Sequence, residues 1–165
     1  SVPVMKEATL MLLTWPGAPT IYYGDEAGVC GFTDPDNRRT YPWGRENREL
    51  IDFHRDMINV HKRLEPLKNG SFIFLKCERD LVSYGRFNDD GAVIVVVNSG
   101  DITLNAEIPV WKAGVPIECQ LKQKMITNER GYSIFPIDVP VKNGMLKLNI
   151  TPFEAAIYSV EFNKG

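Results

Sequence analysis

Near residue 70 the hydrophobic pattern of this chain changes period, from about 3.6 to 2, and does not change back. Before that point Val4, Ala8, Met11, Leu12 and Trp15 recur at i, i+4, i+7, i+8 and i+11, which predicts one apolar helical face. Pro16-Gly17 should stop that helix, because proline disfavours the helical region for the residue before it. Thr20-Ile21-Tyr22-Tyr23 is short, β-branched and aromatic, and predicts a buried strand. A loop follows, then a second helix expected over Asn47 to Glu65, with Leu50, Ile51, His54, Met57, Ile58, His61 and Leu64 on one stripe. Pro66 is expected to end it, and Asn69-Gly70 to turn the chain.

From Ser71 onward about eight short strand-like runs alternate with Asp-Asp-Gly, Ser-Gly-Asp, Ala-Gly, Arg-Gly and Asn-Gly punctuation. Leu104, Ala106 and Ile108 alternate with Asn105 and Glu107, and the pattern extends back to Ile102; Leu146, Leu148 and Ile150 do the same. Val93 to Val97 is continuously apolar, as a central strand buried on both faces would be. Short strands at this spacing imply an antiparallel sandwich or barrel. The chain therefore reads as α+β, divided into residues 1–66 and residues 67–165.

The first part poses a physical problem. One strand between two amphipathic helices is an α/β unit, and such a unit needs parallel neighbours for its strand and a core under its helices. Everything downstream reads as antiparallel β. The expectation is a tail end of a larger α/β protein, with an orphaned segment that either folds back on the β domain or pairs with a second copy of the chain.

Composition narrows the function. A net charge of -2 gives no basic field for a polyanion, which argues against nucleic acid. Two histidines leave little for a metal cluster, and nothing calls for a cofactor. Cys30, Cys77 and Cys119 are odd in number and far apart, which points to reduced thiols and a cytoplasm-like compartment rather than a disulfide framework. No apolar run approaches the ~20 residues needed to span a bilayer.

The densest chemistry lies in Gly31-Phe32-Thr33-Asp34-Pro35-Asp36-Asn37-Arg38-Arg39-Thr40-Tyr41-Pro42-Trp43, which crowds carboxylates, guanidiniums and aromatic rings into one run. Together with the preceding Pro-Gly-Ala-Pro-Thr-Ile-Tyr-Tyr-Gly-Asp-Glu-Ala-Gly, it resembles the C-terminal portion of the α-amylase family of glycoside hydrolases. The subgroup it is most similar to holds the neopullulanase, cyclomaltodextrinase and maltogenic amylase enzymes. The resemblance is most specific over Pro16 to Trp43 and only architectural beyond Ser71. It implies that residues 1–66 are the last helix–strand–helix of a (β/α)8 barrel, with Val4 to Trp15 in the seventh helix and Asn47 to Glu65 as the eighth. The remainder would be the antiparallel β-sandwich that closes such enzymes.

In such barrels the loops after the strands build the active site. The resemblance implies that Asp34 and Arg38, in an Asp-Pro-Asp-x-Arg run, hold a sugar ring of a maltooligosaccharide or cyclodextrin-type glucan. The chemistry suits them, since a carboxylate accepts from neighbouring hydroxyls and a planar guanidinium donates in parallel. The bland alternative is a pair that merely staples the loop. By the same resemblance the catalytic carboxylates of the retaining mechanism lie upstream, so no catalytic residue is expected in this chain, and it should not hydrolyse alone. Asp25 and Glu26 read as acceptors that fix the loop, Trp43 as packing before sugar stacking, and His54 and His61 as helix packing. Other readings are a free-standing carbohydrate-binding β-sandwich or a purely structural interaction domain. The aromatics of the β part, scattered over strand positions, favour a core over a binding platform.

Overall fold

The computed structural model describes residues 1–162. Helix α1 spans Val2–Thr14, with a proline tolerated in its first turn, where the missing N–H has no intrahelical partner. It ends because Trp15 takes an extended conformation (ψ 153) ahead of Pro16. Helix α2 covers Arg48–Arg63, and the Asn47 side chain accepts from the Leu50 N–H at its start. Glu49 in its first turn and His61, Lys62 and Arg63 in its last complement the helix dipole. Pro66 does not terminate α2. Leu64 leaves the helix first, and Pro66 sits in the opening turn of a short third helix, α3, Glu65–Asn69.

Two expectations are corrected. The stripe Val4, Ala8, Met11, Leu12, Trp15 is not the buried face of α1: Val4 is 44% exposed, Leu12 40% and Trp15 40%. The buried residues are Lys6, Glu7, Thr9, Leu10, Leu13 and Thr14, on the other side. The helix carries apolar side chains on both sides, as a helix meant to be covered on both would. Thr20 to Tyr23 forms no strand: it is irregular chain entering turns. A lone strand has no ladder to join, and all the strands of the β part already pair among themselves.

Among the described residues the β part holds nine strands: β1 Ser71–Cys77, β2 Leu81–Asn88, β3 Gly91–Asn98, β4 Leu104–Ile108, β5 Cys119–Asn128, β6 Gly131–Ser133, β7 Ile137–Lys142, β8 Met145–Ile150 and β9 Glu154–Glu161. They form one sheet in the order β1-β2-β3-β9-β5-β7-β8-β4, with β6 paired to β5, and every pairing is antiparallel. The sheet folds over on a core built by Ile94, Val96, Ile108, Leu121, Leu146 and Tyr158, among others. The β2–β3 hairpin turns at Asp89-Asp90, where Asn88 Oδ1 accepts from the Asp90 and Gly91 N–H groups.

Strand β3 explains its own sequence. Ala92, Ile94 and Val96 point into that first core, whereas Val93, Val95 and Val97 join Leu10, Leu13, Phe53, Met57 and Ile157 in a second core. Burial on both faces makes the valine run continuous. The second core lies between the sheet and helices α1 and α2, so the helical part is seated on the β part rather than tethered to it. Between the helices, His54 Nδ1 donates to the Leu50 carbonyl (2.7 Å) while Nε2 faces Thr9 Oγ1 (3.3 Å). His61 Nδ1 donates to the Leu13 carbonyl at 2.7 Å. Both histidines therefore serve helix packing, as expected. No helix among the described residues is long and apolar enough to cross a membrane.

Candidate functional site

Residues 15–47 form the long connection between α1 and α2, and its first half is tightened by hydrogen bonds from Asp25, Ala27, Gly28 and Val29 N–H groups back to Tyr22, Gly24 and Asp25 carbonyls. Glu26 Oε2 accepts from the Gly24 N–H at 3.0 Å, so it fixes the loop as expected. The tip is a double turn: Asp36 N–H donates to the Thr33 carbonyl (2.8 Å) and Arg38 N–H to the Pro35 carbonyl (3.0 Å). The Asp34–Pro35 peptide bond is cis.

Two ion pairs cross this tip, and they have different partners. Asp36 Oδ1 takes Arg39 Nη2 at 2.7 Å and Nε at 3.0 Å, while Oδ2 accepts from the Phe32 N–H at 3.1 Å. The Arg39 guanidinium and the Phe32 N–H hold the Asp36 carboxyl below the usual carboxylate range. Arg39 is tied in turn, since its carbonyl accepts from Tyr23 Oη at 3.0 Å. Asp36–Arg39 is therefore the loop's staple. The other pair is Asp34–Arg38, bidentate, with Nε to Oδ1 at 2.8 Å and Nη2 to Oδ2 at 3.2 Å. Its side chains are 59% and 67% exposed and bond to each other. The two residues singled out from the sequence are brought together, pre-oriented, with outer lone pairs and N–H groups open to a ligand.

Several aromatic rings lie along the same connection. Phe32 is 92% exposed and Trp43 80%. The Tyr41 ring packs against Trp43 at 4.6 Å, and Tyr22 against Tyr23 at 4.9 Å. Trp43 is thus not buried, contrary to the packing role expected for it: its neighbours in the chain are turns with no core beneath them. No group of three or more His, Cys, Asp or Glu side chains positioned for a metal occurs among the described residues. Sequence reasoning overlooked Arg39 as the anchor of the staple and Phe32 as an exposed ring; only the i, i+3 spacing of Asp36 and Arg39 could have signalled the former.

Fold and loop together define a helical pair docked on an antiparallel β domain of the kind found in α-amylases, carrying a pre-formed carboxylate–guanidinium pair on an exposed loop. No family model matches the chain. It is 33% identical over 163 residues to an amylopullulanase of Thermoanaerobacterium thermosulfurigenes, covering 88% of the chain and 8% of that protein. It is 32% identical over 156 residues to neopullulanase 2 of Thermoactinomyces vulgaris, covering 91% of the chain and 24% of that protein. Among solved structures, the debranching enzyme of Nostoc punctiforme superposes with a TM-score of 0.75 at 26% identity, over 97% of this chain and 31% of that one. An Anoxybacillus α-amylase shares the fold, with a TM-score of 0.81 at 23% identity over 99% of this chain and 33% of that one. The chain is a relative of the α-amylase-family glycoside hydrolases and matches a C-terminal segment of them. It spans a quarter or less of the length of these two curated relatives.

Proposed function

We propose that this chain is the C-terminal part of an α-glucan hydrolase that cleaves α-1,4 or α-1,6 glucosidic bonds with retention, and that it contributes a substrate-binding loop and a stabilising β domain. In this reading α1 and α2 are the last two helices of a (β/α)8 barrel, and residues 67–165 are the closing β domain. The exposed apolar side of α1 supports it, because such a face needs a covering layer. The catalytic carboxylates would come from elsewhere in the enzyme, so the chain alone turns over no glucan. The substrate is a maltooligosaccharide or cyclodextrin-type glucan, as the names of the relatives suggest. The free thiols of Cys30 and Cys77, both exposed, support work in a reducing compartment such as the cytoplasm.

The observation that carries the binding role is the division of labour at the loop tip. Asp36–Arg39 staples the backbone, which leaves the exposed Asp34–Arg38 pair without a structural task. A carboxylate and a guanidinium locked in one plane can bond two adjacent hydroxyls of a pyranose. In the full-length enzyme, Arg38→Ala should cut kcat/KM for maltooligosaccharides roughly ten- to hundredfold, the loss of one charge-assisted hydrogen bond. Unchanged kcat/KM with a lowered Tm would return the pair to a stapling role.

A further inference from the structure

Phe32 is the most exposed large apolar side chain identified in the molecule, at 92%. Exposed rings are ordinary where the backbone is loose, but here the backbone is pinned at that residue. Its N–H donates to Asp36 Oδ2 at 3.1 Å, and Asp36 is itself held by Arg39. Gly31, immediately before it, lies so close to the far side of the turn that a Cβ there would come within 2.6 Å of Asn37 Cα and 2.7 Å of the Asp36 carbonyl oxygen. The staple thus fixes where the Phe32 side chain leaves the loop. Two residues of extended chain span at most about 7 Å, so the Phe32 Cα lies no farther than that from the Asp34 Cα.

A pyranose has two kinds of surface: an edge of hydroxyls and an axial face of C–H groups. Asp34 and Arg38 supply what the edge needs. An exposed aromatic ring two residues away in the same stapled turn can supply what the C–H face needs, apolar area whose burial removes water from both partners. We propose that Phe32 is the stacking wall of the sugar subsite whose polar edge is Asp34–Arg38, and that the Asp36–Arg39 pair acts as the positioning element that sets the ring's place. The inference rests on the binding role proposed above for Asp34 and Arg38. It adds a residue that sets specificity: a glucan unit offering its C–H face is favoured over a ligand that offers hydroxyls alone.

The test is steady-state kinetics on the full-length enzyme with maltotriose and longer maltooligosaccharides, comparing Phe32→Ala, Phe32→Leu, Phe32→Trp and Arg38→Ala. Loss of one aromatic stacking contact should raise KM about three- to tenfold with kcat little changed. Phe32→Leu, which keeps apolar bulk without a flat face, should behave like Phe32→Ala, whereas Phe32→Trp should restore KM. If Arg38→Ala weakens binding and Phe32→Ala does not, the stacking wall is wrong and the polar subsite stands. If neither changes KM, the subsite itself fails. A fallen Tm with an unaltered KM for Phe32→Ala would make the ring a packing residue under another part of the enzyme, and that overturns the inference too.

Discussion

Arg86 Nη1 donates to the Thr14 carbonyl oxygen at 2.9 Å, joining the last residue of α1 to the second strand of the β domain. Its Nη2 donates to the Gly70 carbonyl, at the end of α3, at 3.0 Å. One guanidinium therefore closes two helix C-termini, where carbonyl groups lack intrahelical partners and the dipole is negative. The side chain is 2% exposed, and burial lowers its pKa from the ordinary arginine value. Tyr84 Oη meets Thr14 Oγ1 at 2.6 Å beside it, and the Trp15 ring packs on Phe72 and Tyr84 at 4.9 and 5.2 Å. This knot seats the helices on the sheet.

Arg86→Ala should therefore destabilise the chain far more than a surface arginine would. Losing two charge-assisted hydrogen bonds and the packing of the stem is expected to cost ~2–4 kcal/mol. For a chain of this size that corresponds to a Tm lower by roughly 5–15 °C, read by calorimetry. Arg86→Lys should recover only part of it, because an ammonium cannot reach both carbonyls in the fixed fork geometry. A Tm within a degree of the parent would mean that the two carbonyls are served equally well without it.

Gly31→Ala should open the tip of the loop and leave the rest alone. The added methyl would strike backbone atoms at 2.6 and 2.7 Å, which cannot move aside as the end of a flexible side chain would. The Phe32 N–H bond to Asp36 should break, visible as faster hydrogen exchange and a shifted amide resonance at Phe32. The global Tm should hardly change, since residues 31–40 are exposed and carry no core. Persistence of the Phe32 protection would show that the turn tolerates a Cβ.

Glu7 should make the fold more stable in mild acid than at alkaline pH. It is 4% exposed, its Oε1 has no hydrogen-bond partner among the described residues, and burial pushes its pKa from 4.5 up to about 7. A carboxyl with a raised folded pKa holds its proton in the native state after the unfolded chain has lost it. Stability is then unaffected below about 4.5, falls between 4.5 and 7, and stays reduced above 7. Two and a half units correspond to up to about 3 kcal/mol. Urea midpoints at pH 5 and pH 8 should differ in that sense for the parent, and Glu7→Gln should lose most of the difference. Equal pH dependence in both proteins would assign the effect to other groups.

The β domain was the most legible part of the sequence, because period-2 alternation and Gly-Asp punctuation act locally. The valine run of β3 announced burial on both faces, although it could not say that the second cover would be α1 and α2. Ile102 lies outside β4 and is 57% exposed: alternation identified its strand but not the strand's first residue. The helical part was read less well, for one physical reason. Helix α1 has two apolar sides, so periodicity chose the stripe through Val4 and Leu12, while the fold buried the one through Leu10 and Leu13. The Asp34–Arg38 pair was accessible only through the resemblance of its Asp-Pro-Asp-x-Arg run to a known family. The exposure of Phe32 and Trp43 was not, because nothing local tells an aromatic ring whether a core lies beneath it.

That second side of α1 leads to the last prediction. Val4 and Leu12 are 44% and 40% exposed there, and Tyr22 and Tyr23, 51% and 47% exposed, follow in the connection. Fully burying a large apolar side chain is worth ~1.5–3 kcal/mol, so these half-exposed side chains together could release several kcal/mol on association. The 165-residue chain alone should therefore self-associate, and a symmetric dimer that lays α1 against its copy buries the stripe on both partners at once. Light scattering on a size-exclusion column should give twice the monomer mass at micromolar concentration. Leu12→Glu should return the mass of 18.7 kDa without lowering Tm, because Leu12 takes no part in either core. A monomer at every concentration, with α1 packed only on its own β strands, would leave the stripe open in the isolated chain.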